Sequence, residues 1–168
     1  MTASNQFPDT NSANHSVPAV GLTGIEIRGW VTNISDHLWT LTHITRLSLN
    51  NNALTRISGK LGCLVNLTYL DVSNNRLMSL PREIGQLAKL REFLMEHNEI
   101  QEIPIEIGKL QNVRCLAIQN NPLPDEIIEV YERGSTKELM RYYANLWTMK
   151  ISGQMICEDT RQQFSGGL

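Results

Sequence analysis

Four stretches of this chain superimpose on one another at a fixed offset of 23 residues, starting at 44, 67, 90 and 113. Ile44-Leu47-Leu49-Asn52-Leu54-Ile57 aligns with Leu67-Leu70-Val72-Asn75-Leu77-Leu80. Leu90-Phe93-Met95-Asn98-Ile100-Ile103 follows, and then Val113-Leu116-Ile118-Asn121-Leu123. No other feature constrains the fold as strongly. A unit this short cannot bury an apolar face by itself and must stack on its copies. The second half of each unit repeats too: Leu61/Leu64, Ile84/Leu87 and Ile107/Leu110 share their offsets, with Gly62, Gly85 and Gly108 in a fixed place.

The pattern L-x-x-L-x-L-x-x-N-x-L is that of leucine-rich repeats. It predicts an α/β solenoid with short parallel strands on a concave face, irregular or helical turns on the convex face, and a C-terminal helical cap. Alternation along each strand turns residues such as Leu70 and Val72 inward and Tyr69, Asp71 and Ser73 outward. The return segments PREIGQL and PIEIGKL bring Ile84/Leu87 and Ile107/Leu110 back over the core. Pro81 and Pro104 fix φ where the return begins. Ser58 stands at that point in the first full repeat, where a looser turn is expected.

The repeats span 21–123. A degenerate first copy over 21–43 carries Ile25, Ile27, Val31, Ile34, Leu38 and Leu41 with one residue missing, and Trp30 stands near the asparagine position. It reads as the atypical first turn of the stack. Residues 124–150 read as two capping helices: DEIIEVYERG, ending at Gly134, and a second opening on a capping box, Ser135 with Glu138. Leu139, Tyr143, Leu146 and Trp147 form an apolar stripe suited to covering the last repeat. The polar segments 1–20 and 151–168 are expected to be disordered tails.

Asn52, Asn75, Asn98 and Asn121 recur once per turn, so stacking predicts a structural ladder in which each amide satisfies backbone groups at the bend after the strand. Asn74, one place earlier, faces out and is free for contact.

The formal net charge is −2 with no Lys/Arg run, so direct nucleic-acid or membrane binding is not expected. The first twenty residues lack a basic start and an apolar run, which argues against a signal or transit peptide. Cys63, Cys115 and Cys157 are odd in number and widely spaced, which fits a reducing compartment. The sequons at Asn14, Asn33 and Asn66 therefore read as fortuitous.

No metal, phosphate-loop or nucleophile motif is present in the sequence, so neither a catalytic site nor a cofactor is expected. His43 reads as a packed or edge residue and Cys63 as a half-buried small hydrophobe on a convex turn. What remains is surface recognition. The outward strand positions form a grid that nominates Arg46, Ser48, Asn51, Tyr69, Asp71, Asn74, Glu92, Leu94, Glu96, His97 and Gln119 as partner-binding. Tyr69 and Leu94 stand at its centre as an aromatic and an outward-turned Leu among polar residues.

The segments SDHLWTLTHITRLSLNNNAL, LTYLDVSNNRLMSLPREIGQL, LREFLMEHNEIQEIP and LAIQNNPL, with the helix opening GSTKELMRYYANL, resemble one family closely. It is the N-terminal leucine-rich repeat domain of the carbon catabolite repressor-type poly(A) deadenylase, the larger nuclease of the Ccr–Not complex. The resemblance runs from about Gly24 to Leu146. It implies a non-catalytic adaptor that binds a Caf-type deadenylase and through it the Not scaffold, in poly(A) tail shortening and mRNA turnover; the chain is expected to be a monomer. The family's catalysis belongs to a magnesium-dependent nuclease domain for which this chain carries no residues. The expectation is a fragment, or a paralogue retaining the adaptor alone, in the cytoplasm and also the nucleus. The alternative is a general cytosolic leucine-rich repeat adaptor, for example in small-GTPase signalling.

Overall fold

The structure, a computed structural model, describes residues 23–153. The expected tails lie outside these residues, apart from 151–153, where the last helix runs on through Ile151.

Five three-residue strands form one parallel sheet in chain order: β1 (Gly24–Glu26), β2 (Arg46–Ser48), β3 (Tyr69–Asp71), β4 (Glu92–Leu94) and β5 (Cys115–Ala117). The register follows the sequence period. Leu47 pairs with Leu70, Leu70 with Phe93 and Phe93 with Leu116. β1 pairs one residue short of that period, Ile25 against Leu47, so the missing residue falls within the first turn. Backbone bonds locate it. Ile27 N donates to Ser48 O, as Leu49 N does to Asp71 O, whereas Ala53 N donates to Val31 O as Arg76 N does to Leu54 O. The loop from Ile27 to Val31 is therefore one residue shorter than its counterpart from Leu49 to Leu54.

The middle residue of each strand enters the core. Leu47, Leu70 and Phe93 are fully buried, and Ile44, Leu54, Leu67, Leu77, Leu87 and Leu90 complete the column around them. On the convex side, each turn makes one short 3-10 helix: Asp36–Thr40, Gly59–Cys63, Arg82–Gln86 and Ile105–Lys109. Their starts are uniform. Pro81 (φ −70°, ψ 141°) and Pro104 (φ −62°, ψ 136°) are matched by Ser58 (φ −63°, ψ 142°). The turn at Ser58 is thus not looser. A proline presets the dihedral, while Ser58 reaches the same geometry by accepting a bond from Lys60 N on its hydroxyl, as Ser35 does from His37 N.

The recurrent glycines lie where consecutive turns press together. A Cβ on Gly85 would meet Glu106 O at 2.5 Å, and one on Gly108 would meet Tyr143 O at 2.2 Å. Neither distance tolerates a side chain.

The cap, α1 (Asp125–Ile151), is two helical segments that meet at a kink, where the backbone of Gly134 and Ser135 is not helical. The break falls where the sequence placed the boundary, but no capping box forms there. Ser135 has φ 53° and ψ −144°, whereas a capping serine needs extended backbone. Glu138 pairs with Arg141 instead. Of the expected stripe, Leu139 and Tyr143 are buried and Leu146 packs against the core cluster, while Trp147 is half-buried with the Lys109 ammonium 4.5 Å from its ring centre.

Candidate protein-interaction face

The concave face begins with the asparagine ladder, because the ladder fixes how the strands leave the sheet. Asn75 Nδ2 donates to Val72 O (2.9 Å) and Ser73 O (3.1 Å) of its own turn and to Leu49 O (2.9 Å) of the turn before. Its Oδ1 accepts from Leu54 N at 3.0 Å. Asn52, Asn98 and Asn121 repeat the arrangement, reaching Ile27 O, Val72 O and Met95 O. Each amide satisfies backbone groups that the bend strips of ladder partners.

The residue before each rung has a role that the sequence reading missed. Asn51, Asn74, His97 and Asn120 all sit in the left-handed region, with φ between 53° and 55°. Asn and His tolerate that region better than most side chains. Asn74 is therefore exposed yet also shaped by the bend. The signal was in the sequence, as the recurrence of Asn, Asn, His and Asn at the same 23-residue offset.

The nominated residues are on this face and its rim, with unequal access. Arg46, Asn51, Asn74, Glu92, His97 and Gln119 are exposed, whereas Ser48, Tyr69, Leu94 and Glu96 are half-buried. Leu94 thus presents only part of its side chain. Asp71 differs most from its expected role as an open contact, being only 4 % exposed. Its Oδ2 accepts from Asn50 Nδ2 (3.0 Å) and from the Tyr69 hydroxyl (3.2 Å), and its Oδ1 from Ser73 N (3.0 Å) and the Ser73 hydroxyl. A carboxylate buried this far needs such partners. Asp71 organises its neighbours and offers a partner little free surface.

Around it, the Arg46 guanidinium lies 3.9 Å from the Tyr69 ring centre. Burial, with the Asp71 charge and its hydrogen bond, raises the Tyr69 phenol above its ordinary value, while Arg46 acts in the opposite direction. Tyr69 thus stays protonated, pinned as a donor to Asp71 with its ring clamped under a cation. At the other end of the sheet, His97 Nε2 and Asn120 Nδ2 lie 3.1 Å apart.

Cys63, set aside on sequence grounds, is more accessible than expected, being exposed rather than half-buried, while His43 is exposed as the edge reading allows. Both lie on turns where the inward positions are already filled by Ile44, Leu61 and Leu64. Asn14 and Cys157 lie outside the described residues. Among the described residues, no group of three His, Cys, Asp or Glu is placed to hold a metal ion, and no helix is long and apolar enough to cross a membrane.

A family model described as a leucine-rich repeat region matches residues 29–132. Among solved structures, the chain is similar to a leucine-rich repeat protein of Leptospira interrogans, with a TM-score of 0.57 and 36% identity over 63% of this chain and 28% of that one. It is also similar to internalin C2 of Listeria monocytogenes, with a TM-score of 0.52 and 27% identity over 57% of this chain and 41% of that one. Among curated proteins, 34 residues are 56% identical to the CCR4-NOT transcription complex subunit 6-like protein of Danio rerio, covering 20% of this chain and 6% of that protein. The chain thus spans a small part of the length of that relative and less than half of each solved neighbour.

Proposed function

We propose that this chain, which belongs to the leucine-rich repeat family, is a protein-interaction module that joins a Caf-type deadenylase to a Ccr–Not type assembly. The observation that carries this reading is the match of 34 residues at 56% identity to a zebrafish protein named as a subunit of that complex. The partner sits on the concave face, with Tyr69 and Leu94 at the centre of contact and Arg46, Ser48, Glu92, Glu96, His97 and Gln119 around them. Asp71 acts through Tyr69 and Ser73, which it holds in place. The chain itself catalyses nothing in this reading. Its contribution to poly(A) shortening is to bring a nuclease to the scaffold, in the cytoplasm and the nucleus.

A largely polar sheet with one clamped aromatic and one half-exposed Leu suits such docking, since a few apolar anchors within a polar rim carry most of the energy of a protein interface. The test is direct binding of the purified chain to a Caf-type deadenylase, followed by Leu94→Arg. The expected result is loss of binding by about 30-fold or more, as for a central anchor, with the circular dichroism spectrum retained. No binding by the unmodified chain, or unchanged affinity of the variant, would overturn the proposal.

A further inference from the structure

A cavity of about 400 Å³ opens between the last repeat and the first half of α1, away from Tyr69 and Leu94. Ile118, Leu123, Ile128 and the Tyr131 ring contribute its apolar lining. Most polar groups around it are already engaged. Gln119 Nε2 donates to the Tyr131 hydroxyl at 3.2 Å, and that hydroxyl donates to Leu116 O at 3.0 Å. Asn121 serves the ladder, and Asn120 is bonded to His97. Glu132 also lines the cavity, is exposed, and has no ion-pair partner among the described residues, whereas Glu129 is paired with Arg133. What the cavity offers a ligand is therefore an apolar floor with one free carboxylate at its edge.

We infer that this cavity is a peptide-anchor site, taking one aliphatic side chain of a partner protein with a lysine or arginine next to it in sequence. The floor buries the aliphatic group and Glu132 pairs with the cation, which sets the direction of the bound segment. Tyr131 is held by its two hydrogen bonds before any ligand arrives, so little ordering is needed on binding. The inference rests on the reading of this chain as a protein-binding module but not on the identity of the deadenylase partner.

The test is a methyl NMR titration of the whole chain with the blocked peptides GSLKSG, GSAKSG and GSLESG. GSLKSG should move the methyl signals of Ile118, Leu123 and Ile128 in a saturable way. GSAKSG should leave them in place, and GSLESG should bind about fivefold more weakly, the size of a surface ion pair. Glu132→Lys, an exposed change that leaves the fold intact, should invert the preference between GSLKSG and GSLESG. Unmoved pocket methyls with GSLKSG, equal response to GSAKSG, or a preference unchanged by Glu132→Lys each overturns the inference. None of these outcomes involves the deadenylase, so this site and the concave-face proposal fail separately.

Discussion

The two ends of the solenoid solve the same problem with unequal means. At the carboxy-terminal end, β5 would leave the Leu116 N–H and C=O unpaired, and the cap supplies both partners. Thr136 Oγ1 accepts from Leu116 N at 2.9 Å, and the Tyr131 hydroxyl donates to Leu116 O. Leu139 and Tyr143 close the core there, with the Tyr143 backbone pressed onto Gly108. At the amino-terminal end, Ile25, Ile27, Val31 and Ile34 are only half-buried. The short first loop has no ladder asparagine of its own and places Trp30 at φ 60°, 80 % exposed. The edge of a sheet exposes unpaired backbone groups. One edge here is covered by a dedicated element, whereas no helix among the described residues packs over β1. The amino-terminal turn should be the first part of the described chain to open.

A large effect that would break this contrast is removal of the cap's anchor. Leu139→Ala deletes a fully buried side chain and should cost about 2–5 kcal/mol, measured by urea denaturation. Ile25→Ala, at the half-buried end, should cost clearly less. Equal costs would mean that the two ends are equally well packed.

Next in size is Asn52→Ala. Asn52 holds the first turn through Ile27 O and Val31 N, at 2.7 and 3.0 Å. The loss should be about 1–3 kcal/mol, because backbone groups are left unpaired. It should appear in hydrogen exchange as lost protection over β1 and the following loop, with β4 and β5 unchanged. Uniform loss of protection along the chain would show that the first turn does not open independently. Trp30→Gly should act in the opposite sense at the same end. A bulky residue at φ 60° is strained, and glycine should recover about 1 kcal/mol, seen as a higher denaturation midpoint.

How much of this could be read from the sequence follows from the length scale of each interaction. The strands, their register and the ladder asparagines were legible because the 23-residue period writes them four times. The roles of Gly85 and Gly108 were not, since each depends on backbone from another turn or from the cap meeting it. Asp71 was misread as an open contact because period-two alternation places it outward, while its burial comes from Asn50, Tyr69 and Ser73 closing around it. The capping box was read from residue types alone, and the positive φ of Ser135 defeats it.

A smaller effect lies at the far end of the cap. Lys150 Nζ reaches Glu106 Oε1 at 2.9 Å, tying the end of α1 to the last convex turn. Burial raises the Glu106 pKa, but the hydrogen bond from Lys150, a backbone hydrogen bond and the charges of Lys150 and Arg82 together outweigh it, and the carboxyl lies below its usual 4.5. A depressed folded pKa gives stability that is present above the unfolded value and is lost as pH falls through the folded value. Acidification below about pH 4.5 should therefore loosen the cap. In Glu106→Gln that part of the pH dependence should vanish, with a melting temperature lower by about 1–3 °C at neutral pH.

The smallest expected effect tests the amino-terminal end where it is best packed. Trp39 occupies the position that Gly62, Gly85 and Gly108 hold in later turns. It is 3 % exposed, and its indole Nε1 is buried without a hydrogen-bond partner. The first turn thus fills with a large ring the place that later turns leave empty for a neighbour, and strands one donor in doing so. Phenylalanine keeps most of the apolar contact and removes the donor. The desolvation relieved and the volume lost oppose each other at about 1–3 kcal/mol apiece, so Trp39→Phe should leave stability nearly unchanged. Trp39→Gly, which copies the later turns, should destabilise by about 3–5 kcal/mol. If glycine proved as good as tryptophan here, the first turn would be an ordinary repeat, and the difference between the two ends would reduce to the cap alone.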